Sequence, residues 1–328
     1  MTNVDDDFQN MINSYEEEKA KAESKKSEQK PAQSDKIVKV KFEAENFAVN
    51  QYGKPKVNSL KNIRIAIEND NILKNQFVFN SFTQEIEIRT PFKLKGVEIE
   101  NDGLKEVYIT AILEHFEEKY DVLFDSRLLV NVINKIAYEN KYNPVQDFME
   151  DCYKNWDKVK RARSLFPDYL GAKESDLTER MTKLFFVGAV SKVYRPHDKF
   201  DFVLDLVGGQ GSGKTTFLTK MGQGWYTDSM KNFDDKDQLV MMLRALIVND
   251  DEMAISNKIP FADLKKFITQ TVLSFRAPYG TKVENYAKNF VIARTTNHEE
   301  YQKDRTGARR FLPVHCQKSY KNIILFLI

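Results

Sequence analysis

Apolar positions along the chain change period several times, and each change marks an element. From Lys36 the pattern alternates, Ile37-Val38-Lys39-Val40-Lys41-Phe42, as in a half-buried strand. Alternation returns at Ile63-Arg64-Ile65-Ala66-Ile67, but across residues 59–68 a helix fits equally well, and both readings stand. Phe77-Val78-Phe79-Asn80 and Glu85-Ile86-Glu87-Ile88-Arg89 read as a hairpin pair around residues 81–84. Helical spacing then takes over at residues 104–120 and 126–140. Asn143-Pro144 interrupts the chain, a further helix is expected at 145–153, and another over 173–194 is ended by Pro196. Short apolar runs at 200–207, 245–248 and 290–293 suit buried parallel strands, with helical stretches at 214–221 and 261–271 between them.

Residues 1–36 break this regularity. They are rich in Asp, Glu, Lys, Ser and Gln and carry no apolar stripe. Such a segment cannot bury enough surface to offset its ordering entropy, so a disordered tail is expected, with a partner-binding tail as the alternative. The expected organisation is that tail, a small N-terminal α+β domain over 37–150, and an α/β domain over 151–328.

Composition narrows the classes. The 328 residues suit about two domains, and a net charge of +2 neither demands nor excludes nucleic acid. Cys152 and Cys316 stand far apart without metal spacing, and His115, His197, His298 and His315 form no ligand motif. Neither a disulfide framework nor a zinc site is expected. The acidic, polar start has no signal-peptide pattern, and no apolar run is long enough to span a bilayer, so a cytoplasmic location without a membrane partner is expected.

The chemistry is carried by one run, Gly208-Gly209-Gln210-Gly211-Ser212-Gly213-Lys214-Thr215-Thr216. It fits G-x-x-x-x-G-K-[ST], the phosphate-binding P-loop, and it has the strand before it and the helix after it that this motif requires. Glycines let backbone N–H groups face phosphate oxygens at a helix N-terminus; Lys214 would reach the β- and γ-phosphates of ATP, and Thr215 would offer a hydroxyl to Mg²⁺. The plain alternative is a glycine-rich turn with a chance lysine.

Partners follow in order. Residues 245–248 end in Asn249-Asp250-Asp251-Glu252, a Walker B pattern of carboxylates at the end of a buried strand. Asp251 is assigned to the metal and Glu252 to the water, although strand alternation leaves Asp250 and Glu252 able to share a face. Asn297, at the end of the next apolar run, is the candidate sensor of the γ-phosphate; a strand-end turn is its plain reading. Arg309 and Arg310 suit an arginine finger reaching a neighbouring subunit's ATP, or else an ordinary basic turn. Between these lies a turn at Pro278 and Gly280, with Arg276, Tyr279 and Lys282 around it, where charge and stacking could follow single-stranded DNA. The basic segment 154–163, with Trp156 inside it, reads equally as a nucleic-acid contact or a solvated face.

Together, Leu264-Lys265-Lys266-Phe267-Ile268-Thr269, Phe275-Arg276-Ala277-Pro278-Tyr279-Gly280, Arg294-Thr295-Thr296-Asn297 and Thr306-Gly307-Ala308-Arg309-Arg310-Phe311-Leu312-Pro313-Val314 resemble the virulence-associated protein E family. Tyr169-Leu170-Gly171-Ala172, Tyr194-Arg195-Pro196, Asn143-Pro144-Val145 and Trp156-Asp157 extend the resemblance to about residues 143–314. The family is similar to superfamily 3 helicases of the AAA+ class. The resemblance implies a P-loop NTPase sheet flanked by helices, hexameric rings, and ATP hydrolysis coupled to DNA unwinding or loading in phage or mobile-island replication, with replication proteins as further partners. Two departures stand out. Members often carry glutamate where Asn249 stands, and relatives usually continue beyond Ile328. The apolar end Ile323-Ile324-Leu325-Phe326-Leu327-Ile328 is accordingly read as a last core strand, a helix start or the end of a truncated product.

Overall fold

A computed structural model describes residues 46–276, 282–299 and 309–318. The expected tail, the expected strand at 37–42, Tyr279 and the apolar end at 323–328 lie outside the described residues. The chain forms two compact units, Met1–Asn143 and Pro144–Ile328.

In the first unit the ambiguous segment is helix α1 (Leu60–Glu68). Ser59 caps it by accepting from the Asn62 N–H, and Ile63, Ala66 and Ile67 are buried at helical spacing. The expected hairpin is β1 (Phe77–Asn80) paired antiparallel with β2 (Glu85–Ile88). A second hairpin, β3 (Phe92–Leu94) with β4 (Val97–Ile99), was not foreseen. Its two-residue turn puts Lys95 and Gly96 at φ 48 and 80, the left-handed geometry that matches strand twist. Helices α2 (Glu106–Tyr120) and α3 (Ser126–Glu139) follow, and β5 (Lys141–Tyr142) adds to β1 in parallel. Ile63, Ile67, Phe77, Phe79, Ile112, Phe116, Leu129 and Ile133 meet in one core.

The second unit opens at helix α4 (Pro144–Lys154), which contains the residue-150 boundary drawn from the sequence. Proline at a first helical position needs no N–H there, so Pro144 starts a helix as well as breaking the preceding segment. Helices α5 (Leu165–Leu170) and α6 (Asp176–Tyr194) lead to β6 (Val203–Val207). Then come α7 (Lys214–Met221), β7 (Tyr226–Thr227), α8 (Lys236–Leu243), β8 (Ile247–Asp250), α9 (Phe261–Thr269), the antiparallel pair β9 (Val272–Phe275) and β10 (Glu284–Ala287), β11 (Val291–Thr296) and β12 (Phe311–His315).

Five of these strands form one parallel sheet in the order β12-β6-β11-β8-β7. Strands β6, β8 and β11 are buried along their whole length, as a sheet covered on both faces requires. Val203, Val248, Ile292 and Phe311 pack with Leu243 of α8 and Leu264, Phe267 and Ile268 of α9. Helix α6 packs against β6 and β11. The unit is thus an α/β fold with a parallel sheet flanked by helices. Among the described residues, no helix is long and apolar enough to cross a membrane.

Candidate active site

Strands β6, β11 and β8 run the same way, so their carboxyl ends share one edge of the sheet. Ligands of open α/β sheets bind outside that edge. The loop 208–213 leaves β6 there, Asn297 leaves β11, and Asp251 and Glu252 leave β8. Because β11 lies between β6 and β8, the side chains at its tip can touch both neighbours.

Two hydrogen-bonded rows result. In the first, Lys214 Nζ donates to the carbonyls of Gly208 (2.6 Å) and Gly209 (3.2 Å), to Ser212 Oγ (3.3 Å) and to Asn297 Oδ1 (3.0 Å). Asn297 Nδ2 donates in turn to Glu252 Oε1 at 2.9 Å. One amide therefore bridges an ammonium at the start of α7 and a carboxylate in the turn after β8. In the second row, Asp251 Oδ1 accepts from Thr215 Oγ1 (3.0 Å), Thr295 Oγ1 (2.7 Å) and Asn249 Nδ2 (3.3 Å). Thr295 Oγ1 also accepts from the Glu252 N–H at 3.1 Å, which ties the two rows together.

The loop that holds Lys214 is shaped by Gly211 and Gly213, at φ 79 and 85, a region a β-carbon disfavours. Gly213 is the N-cap of α7, and no side chain caps that end. At the foot of the loop the Cys316 N–H donates to the Val207 carbonyl at 2.6 Å. Burial pushes the Cys316 thiol up to about 12, so it stays neutral.

Asp250, grouped with the metal residues on sequence, is not brought to Thr215. Its carboxylate accepts from the N–H groups of Ile255 and Ser256 (2.9 Å each) and from Ser256 Oγ (2.5 Å), and so organises the turn after β8. Strand alternation explains this, since Asn249 and Asp251 share a face and Asp250 takes the other. Glu252 does not join Asp250, because its backbone turns left-handed (φ 52, ψ 22) and alternation stops. A non-glycine residue held there stores strain of a kind concentrated at functional positions.

Residues 149–325 match the sequence profile of the virulence-associated protein E-like domain, more than half of the 328-residue chain. The chain belongs to that family. The apo structure of the NrS-1 C-terminal region, in its A form, is similar at 14% identity and a TM-score of 0.38, over 76% of this chain and 58% of that one. A second apo structure of that region is similar at 14% identity and a TM-score of 0.39, over 76% and 62%. The chain thus spans roughly three fifths of the length of those structures. No curated protein matches it.

Both rows fall inside the virulence-associated protein E-like span. Arg309 and Arg310 also do, but they are not brought into the rows. They precede β12, which runs parallel to β6 with Phe311 opposite Val203, so they stand at the amino end of the sheet. Arg309 is exposed, and Arg310 Nε is buried without a hydrogen-bond partner among the described residues. Arg276 and Lys282 are exposed at the facing ends of β9 and β10, and Tyr279 lies outside the described residues. Sequence reasoning missed the roles of Thr295 and Tyr226. The first stands in the polar end of β11, where nothing in the sequence sets it apart from its neighbours, and β7, only two residues long, has no periodicity to detect.

Proposed function

We propose that the virulence-associated protein E-like domain of this chain binds ATP with Mg²⁺ and hydrolyses it, in a ring of identical subunits acting on single-stranded DNA. It would serve as a replicative helicase or helicase loader of a phage or mobile element, in the host cytoplasm. The observation that carries this reading is the row Lys214–Asn297–Glu252 lying beside Thr215–Asp251, tied through Thr295.

Each residue has a physical role in it. The loop from Gly208 through Gly209, Gln210, Gly211, Ser212 and Gly213, with Thr216 in the first turn of α7, offers backbone N–H groups and the positive end of a helix to phosphate oxygens. Lys214 would exchange its carbonyl partners for the β- and γ-phosphates. Thr215 and Asp251 present hard oxygen atoms, which suit Mg²⁺. That ion needs only one or two carboxylates when phosphates and water complete its shell. When bound, the ion would neutralise charge on the phosphate oxygens. Glu252 would accept the proton of the attacking water. Asn297 touches both Lys214 and Glu252, so a γ-phosphate that draws Lys214 away would free the amide to turn its Nδ2 donor toward a phosphate oxygen. An arginine of the 309–310 pair would serve a neighbouring subunit's nucleotide, since it stands across the sheet from its own loop.

Steady-state ATP hydrolysis with and without single-stranded DNA tests the proposal. Turnover should rise with DNA, and Lys214→Ala should lower it by about two orders of magnitude or more. Tight ATP binding without turnover would instead favour a nucleotide- or DNA-binding adaptor. Hydrolysis indifferent to DNA would favour an ATPase acting on protein.

A further inference from the structure

Asn249 is fully buried in β8, and its amide makes two bonds through one nitrogen. Nδ2 donates to Tyr226 Oη at 3.1 Å and to Asp251 Oδ1 at 3.3 Å. The orientation of the amide follows from chemistry, because the reverse would set a carbonyl oxygen against a carboxylate. Tyr226 Oη donates to Asp228 Oδ2 at 3.1 Å, so it is free to accept from Asn249, and the bond directions agree along the chain. Burial raises the tyrosine above its ordinary range, which keeps that hydroxyl protonated.

The other end of the amide differs. Asn249 Oδ1 is buried and has no hydrogen-bond partner among the described residues. An orphaned buried acceptor is costly, so a site that keeps one calls for a reason. A donor arriving with bound nucleotide, such as a metal-held water, would satisfy it. A carboxylate at this position would also face Asp251 across one strand pleat, and two such acids tend to share a proton. The amide avoids that crowding of acids and presents a donor to Asp251 instead.

We infer that Asn249 and Tyr226 are positioning residues for the Mg²⁺-nucleotide: Asn249 holds Asp251 toward Thr215, and Tyr226 holds Asn249. This rests on the Mg²⁺-ATP reading above and adds to it the pair that orients the metal-facing acid. Partners that orient a metal's ligands commonly contribute about 10–100-fold in metal affinity.

The test uses the full chain and the fluorescent analogue N-methylanthraniloyl-ATP, titrated with Mg²⁺ and, separately, in excess EDTA. Asn249→Leu keeps side-chain size and removes the donor. It should raise the Mg²⁺ concentration for half-maximal binding about tenfold, with binding in EDTA unchanged. Tyr226→Phe should shift the midpoint in the same direction by less, and the double variant should match Asn249→Leu alone, because the tyrosine acts through the amide. An unchanged midpoint in Asn249→Leu, or an equal loss of nucleotide affinity in EDTA, overturns the inference while the Mg²⁺-ATP reading survives. Additive effects overturn the link through Tyr226. A wild-type chain whose nucleotide binding ignores Mg²⁺ overturns both. If the buried leucine prevents folding, Tyr226→Phe, which removes one oxygen, carries the test.

Discussion

Gly208 and Gly209 are neighbours in one loop, yet the structure asks different things of them. A β-carbon at Gly208 would lie 2.1 Å from the Cys316 carbonyl oxygen, whereas one at Gly209 would meet nothing within 4 Å. The Cys316 oxygen is backbone, held by the Cys316 N–H bond to Val207, so it cannot swing aside. Gly208→Ala should therefore lower stability by about 1–3 kcal/mol, the usual cost of overpacking, and weaken nucleotide binding. Gly209→Ala should change stability far less. Urea unfolding of the two variants side by side checks this. Nothing in the run of glycines distinguishes the two positions, because the obstacle comes from the strand beyond. Asp250, Asp251 and Glu252 pose the same difficulty. Their chemistry is legible and alternation parts Asp251 from Asp250, but the left-handed turn at Glu252, which keeps that acid from joining Asp250, is not.

Strand order depends on a pair that the hydrophobic pattern conceals. Asp205 on β6 and Arg294 on β11 stand opposite each other in parallel register and form a two-pronged buried ion pair at 2.8 and 2.6 Å. The guanidinium also lies over the Phe311 ring of β12, 4.2 Å from its centre. Three adjacent strands are thus fastened in the order that brings the loop after β6 beside Asn297. Removing one partner strands a buried charge, so Asp205→Ala should cost about 3–5 kcal/mol. Replacing both residues with leucine should recover much of that loss. Denaturant midpoints of the single and double variants measure both effects. A charged residue inside an apolar strand is visible in the sequence, but its mate, 89 residues away, is not.

Across the second unit, one buried cation sets a pH response. Lys288 Nζ donates to the carbonyls of Phe267 (3.1 Å) and Ile268 (3.0 Å) near the end of α9. Burial, with a smaller contribution from nearby Lys192, pushes its pKa down to about 7. In the unfolded chain a lysine titrates near about 10.4. Between those values the unfolded chain binds the extra proton, so stability rises with pH from about 7 to about 10. Urea unfolding at pH 7 and at about pH 8, below the range where the Cys316 thiol ionises in the unfolded chain, should show the rise, and Lys288→Met should reduce it.

The motif chemistry and the period changes were readable because they are local. A glycine-rich loop before a lysine, a short apolar run ending in acids, and helical spacing of buried residues each lie within a few turns of chain. The hairpin of β1 and β2 and the parallel α/β character followed from those signals. The placement of β11 between β6 and β8 was not readable, and that placement lets Asn297 touch both Lys214 and Glu252. Nor was the bond from Asn249 to Tyr226, which stands on a two-residue strand. Such contacts join residues tens of positions apart, and burial and strand register create them only once the sheet has closed.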